Sequence, residues 1–77
     1  MDNGFHDIMM AWSEDTISRD IYVMIYDWLT FYRDEIQEKE QVDDLLWRME
    51  KGDDIKLIVE DFVKGERYAK LRNQFSK

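Results

Sequence analysis

No proline occurs anywhere in this 77-residue chain, and glycine stands only at positions 4, 52 and 65. Proline removes a backbone donor and blocks the helix interior, and glycine loosens it, so a chain almost free of both permits helix nearly everywhere. Its many charged and straight-chain residues then favour helix over strand. The sequence predicts an all-α fold, punctuated where the two internal glycines fall.

Apolar periodicity places the helices. Phe5, Ile8, Met9 and Trp12 follow the i, i+3, i+4, i+7 rule, which predicts a first helix over residues 4–12 with Asn3 as a candidate N-cap. Ser13, with Glu14 and Asp15 behind it, reads as the N-cap of one long second helix, about residues 14–38. That helix carries Ile17, Ile21, Met24, Ile25, Trp28, Tyr32 and Ile36 on one face. A turn is placed at residues 37–41 only because helices must be brought together; residues 33–44 contain no breaker and are equally compatible with continuous helix. Val42, Leu45, Leu46 and Met49 define a third helix, closed by Arg48, Lys51 and Gly52. Asp53 and Asp54 read as caps of a fourth, carrying Ile55, Ile58, Val59 and Phe62 and ended by Lys64 and Gly65. Tyr68, Leu71 and Phe75 mark a terminal helix. Ile55, Leu57 and Val59 also alternate as a strand would, but no other segment offers a pairing partner. The expected architecture is a compact bundle of four to five short helices with one long helix, forming a single domain over residues 1–77.

A chain of this length buries only about 60% of its unfolded surface, so the fold has little margin. With no cysteine it must hold by packing alone, and three Trp, four Tyr, four Phe and five Met supply the bulk. The same absence removes disulfides, thiolate nucleophiles and sulfur-ligated metals. A net charge of −7 repels phosphate backbones, so generic nucleic-acid binding is not expected. Met1-Asp2-Asn3 lacks the basic region of a signal peptide. Charge interrupts every apolar stretch well short of the roughly 20 residues a membrane span needs. A soluble, cytoplasmic protein without a membrane partner is the expectation.

Catalytic constellations are nearly missing. His6 is the only histidine, so triads and His-rich metal sites have at most one ring to use, and it reads as an exposed residue of the first helix. No nucleophile-elbow, zinc-protease or nucleotide-binding motif occurs. The adjacent pairs Asp43-Asp44, Asp53-Asp54 and Glu60-Asp61 diverge by about 100° on a helix and do not converge on one ion. No catalytic residue, metal or cofactor is predicted, and the chain is not expected to be an enzyme.

What remains is surface. On the third helix Trp47 projects away from the apolar stripe, among Glu40, Asp43, Asp44 and Glu50. A large amphipathic ring surrounded by carboxylates suits an anchor for a basic partner protein, so this face is the first candidate surface. Leu57, opposite the fourth helix's stripe, repeats the pattern more weakly. The second helix is flanked by Tyr22, Tyr26 and Leu29 on one side and Phe31 on the other, with a narrow polar sector around Arg19, Asp20, Asp27, Thr30 and Asp34. Such a helix either sits centrally in the bundle or uses the Tyr22, Tyr26 and Leu29 flank for self-association as a homodimer. Residues 1–63 hold seventeen acidic and six basic side chains, net −11, whereas 64–77 are net +4. Lys64, Arg67, Lys70 and Arg72, with Tyr68 or Phe75 for stacking, therefore offer an alternative RNA- or DNA-binding helix. The expected function is a non-catalytic acidic protein-binding module: an adaptor, inhibitor, immunity protein or phage-type regulator on a basic partner site, or a DNA mimic.

Asp43-Asp44-Leu45-Leu46, then Asp54-Ile55-Lys56, then Gly65-Glu66-Arg67-Tyr68-Ala69-Lys70-Leu71 resembles the later portion of sterile alpha motif domains. The shared features are paired leucines, an acidic–apolar–lysine helix start, and Gly-x-Arg-x-x-Lys-Leu opening the last helix. The resemblance spans residues 42–75. It implies a five-helix interaction module, in some members polymeric and in others RNA-binding, and so a self-associating alternative.

Overall fold

The computed structural model describes residues 4–75. Five α-helices succeed one another: α1 (Phe5–Ser13), α2 (Ser18–Tyr32), α3 (Lys39–Lys51), α4 (Ile55–Lys64) and α5 (Ala69–Phe75). Short 3-10 turns occupy Arg33–Glu35 and Glu66–Tyr68. No strand occurs among the described residues, so the branched run after Ile55 is helical. The all-α bundle predicted from the missing prolines is the fold observed.

Helix α2 lies at the centre, packed against α1 on one side and α4 on another. Its buried Ile21, Ile25, Trp28 and Leu29 share one core with Ile58, Val59, Phe62 and Val63 of α4. Phe5 and Ile8 close the core from α1, and Val42, Leu45 and Met49 close it from α3. The Trp28 ring is held between Phe5, Phe62 and Phe75 at centroid distances of 5.6, 5.8 and 5.0 Å. Tilted and edge-on pairs of this kind add about 0.5–1.5 kcal/mol each beyond the area they bury.

The single helix expected over residues 14–38 is not present. Ser13 is the last residue of α1, and its Oγ donates to the Met9 carbonyl at 3.2 Å instead of capping α2. Helix α1 ends because Asp15 adopts a left-handed φ of 56°, with the Thr16 N–H bonded to the Ala11 carbonyl and the Asp15 N–H to that of Trp12. This is a Schellman closure with an aspartate where glycine is usual, and aspartate tolerates that conformation because its short polar side chain can bond locally. Ile17 takes the N-cap position of α2 without a side-chain cap and is 70% exposed, so it leaves the apolar face assigned to it. At the other end the chain turns at residues 36–38, just ahead of the expected 37–41. Ile36 is extended (φ −81°, ψ 125°) and fully buried. Gln74 of α5 holds this corner, its Oε1 accepting from the Gln37 N–H at 3.0 Å and its Nε2 donating to the Glu35 carbonyl. Lys39 Nζ donates to the Arg33 carbonyl beside it.

The second half obeys its sequence signals closely. Gly52 ends α3 at φ 88°, a left-handed position that suits glycine. Asp54 caps α4, accepting from the Lys56 N–H at 2.8 Å. Asp53 does not cap; it pairs with Arg48. Gly65 ends α4 as expected but for a different reason. Its φ is −74°, and a Cβ there would stand 2.9 Å from Asp61 Cα, so close approach of backbone excludes any side chain. The proposed Asn3 cap lies outside the described residues; Gly4, at φ 93°, occupies the N-cap position of α1.

Candidate functional site

Helix α3 presents two faces with different chemistry. Inward, Val42, Leu45 and Met49 enter the core. Outward, Trp47 is 56% exposed although its neighbour Arg48 is buried. Glu40, Asp43 and Glu50 are exposed on the same outward face. Lys51 Nζ lies 4.6 Å from the centre of the Trp47 ring, one turn along. Asp43 pairs with Arg33 at 3.3 Å, an exposed contact of little energetic weight. Glu40 and Glu50 carry no ion pair among the described residues.

Asp44 behaves differently from the other three carboxylates. It is half-buried, accepts from the Tyr68 hydroxyl at 2.5 Å and pairs with Arg67 at 3.0 Å. Its charge is spent within the fold, so of the predicted acidic set Glu40, Asp43 and Glu50 face outward and Asp44 does not.

Behind Asp44 lies a polar network that joins α3, α4 and the turn before α5. The buried Arg48 guanidinium donates to Asp53 at 3.2 Å, to Asp61 at 2.9 Å and to the Tyr68 hydroxyl at 3.1 Å. Burial alone pulls the Arg48 pKa down, but the hydrogen bonds to Tyr68, Asp53 and Asp61 outweigh it and hold the pKa above its ordinary value. Burial pushes the Tyr68 phenol up and the bond to Asp44 adds to this, against the opposing Arg48, leaving it at about 12. A charged group buried with three partners is satisfied, and removing it would strand two carboxylates. Sequence periodicity places Arg48 only as a helix-terminal cation. Its burial depends on partners 5, 13 and 20 residues away, which no local pattern reveals.

A groove runs between α2 and α3. Tyr22 and Tyr26 form one wall, Leu46, Met49 and Glu50 the other, around a volume of about 430 Å³. Glu50 belongs both to this wall and to the outward face of α3 that carries Trp47, so the two surfaces meet there. Tyr26 is 47% exposed. Leu29, grouped with Tyr22 and Tyr26 as a self-association flank, is fully buried and makes no surface. It packs into the common core, so the flank shrinks to the two tyrosines.

The basic C-terminal residues are largely engaged within the molecule. Arg67 pairs with Asp44, and Arg72 donates to the Asp61 and Phe62 carbonyls at 3.2 and 2.9 Å, completing the end of α4. Burial lowers the Arg72 pKa from its ordinary value. Lys64 Nζ lies 5.7 Å from the Trp12 ring centre, and Lys70 is exposed. Tyr68 is fully buried and so offers no stacking platform. His6 is exposed, and among the described residues no three His, Asp or Glu side chains gather as metal ligands. No helix of the described residues is long and apolar enough to cross a membrane. Comparison with family models, with curated proteins and with solved structures gives no match, so the reading of this surface rests on its own chemistry.

Proposed function

We propose that this chain is a non-catalytic binding module that engages a basic surface of another protein through the outward face of α3, in the manner of a small inhibitor, adaptor or regulator. The observation that carries the reading is Trp47, more than half exposed beside Glu40, Asp43 and Glu50, the last of which also lines the Tyr22–Tyr26 groove. An indole burying most of its area on contact supplies binding energy, and the carboxylates around it select cations and steer their approach. The net charge of −7 acts in the same direction over longer range. If the partner itself binds nucleic acid, the same carboxylates stand in for phosphates.

Immobilised parent and Trp47→Ala proteins, exposed to the same native lysate, test this. A basic protein retained by the parent and lost from Trp47→Ala is the expected outcome. Equal retention by both would remove the α3 face. Direct nucleic-acid binding through Lys64, Arg67, Lys70 and Arg72 finds less support, since Arg67 and Arg72 already hold intramolecular partners. An electrophoretic mobility assay at low salt should show no shift of duplex DNA or single-stranded RNA; a salt-sensitive shift would favour that reading instead.

A further inference from the structure

On the side of α2 away from the Tyr22–Tyr26 groove, α1 and α2 line a second groove with a chemistry of its own. It holds about 390 Å³ and is open along its length. Its apolar lining includes Met24, Trp28, Phe31 and Tyr32, and its charged lining consists of Asp7 and Asp27. Among the described residues no basic side chain lines it.

Two observations give it a ligand chemistry. Phe31 is 81% exposed, the most exposed large apolar side chain among the described residues, with its ring 5.1 Å from that of Tyr32. Asp27 stands one turn before Phe31 on the same strip of α2, and among the described residues neither Asp27 nor Asp7 has a side-chain hydrogen bond or ion pair. Trp28, more than nine-tenths buried, forms the groove's floor. An exposed aromatic face beside two unpaired carboxylates is complementary to a cation with a flat, weakly hydrated surface. A closed aromatic cage would suit a rounded quaternary ammonium; an open trough with carboxylates on its rim suits a planar fork that stacks and pairs at once.

We propose that the α1–α2 groove receives one arginine side chain of a partner protein, its guanidinium stacked on Phe31 and paired with Asp27 and Asp7, its methylenes over Met24 and Trp28. The floor is preorganised, because Phe5, Phe62 and Phe75 hold Trp28 in place. The site is separate from the α3 face, and its occupancy does not depend on Trp47.

Titration of the isotope-labelled full chain with N-acetyl-arginine methylamide, monitored by NMR, tests the proposal, with the lysine and the uncharged citrulline analogues as comparisons. The expected result is a saturable shift of the Trp28 Nε1–H and Met24 methyl signals in the millimolar range. Lysine should bind at least threefold more weakly and citrulline without saturation. Phe31→Ala and Asp27→Asn, both at exposed positions, should each weaken arginine binding at least fivefold, whereas Trp47→Ala should leave it unchanged. Citrulline matching arginine, insensitivity to both α2 substitutions, or no saturable shift at these signals would overturn it. A lost α3 interaction with this titration intact, or the reverse, separates this site from the α3 reading.

Discussion

At the scale of single residues, Tyr68 and Arg48 tie the second half of the chain together. The Tyr68 phenol ordinarily titrates near 10.0 and in the fold near 12. Below pH 10 it is protonated in both folded and unfolded chains, and its contribution is intact. Between the two values the unfolded chain releases the proton while the folded one keeps it, so stability falls by about 1.4 kcal/mol per pH unit. Parent protein should therefore lose stability more steeply than Tyr68→Phe between pH 10 and 12, as chemical denaturation at stepped pH will show; parallel curves would contradict the buried, hydrogen-bonded phenol. Little of this is legible in the sequence. Periodicity puts Tyr68 on the apolar stripe of the last helix but reads Arg48 only as a helix-terminal cation, and only the meeting of α3, α4 and the turn beyond brings their polar ends together.

At the scale of elements, the helices are legible and the breaks only partly so. Glycine at 52 and an aspartate cap at 54 obey local rules, and both act as read. The two ends of α2 do not obey them. One break is made by Asp15 in a left-handed conformation that its residue type permits without announcing, and the other by Gln74 reaching back from the far end of the chain. A tertiary hydrogen bond of that kind leaves no trace in a short window of sequence. The uncapped start of α2 offers a direct check. Ile17 is 70% exposed at the N-cap position, where aspartate would accept from the first free N–H groups. Ile17→Asp should raise stability by about 1 kcal/mol in thermal melting. An unchanged or lower melting temperature would mean that Ile17 is held by contacts its exposure does not suggest.

At the scale of the whole molecule, the chain divides its large side chains between two tasks. Phe5, Trp28, Phe62 and Tyr68 close the core, while Phe31 and Trp47 remain outside it. The candidate surface is half legible: Trp47's position opposite an apolar stripe gives its exposure, but the loss of Asp44 to Tyr68 and of Leu29 to the core requires knowing which helices meet. Carboxylates dominate both exposed aromatic sites, so a cognate basic partner should associate more slowly as salt rises, with its rate of dissociation little changed. The most direct measurement is an NMR titration of the labelled chain with the protein it captures. The Trp47 Nε1–H and the amides of Leu46 and Glu50 should shift or broaden first and most. A Trp47 signal that stays fixed while the partner binds elsewhere would contradict the account.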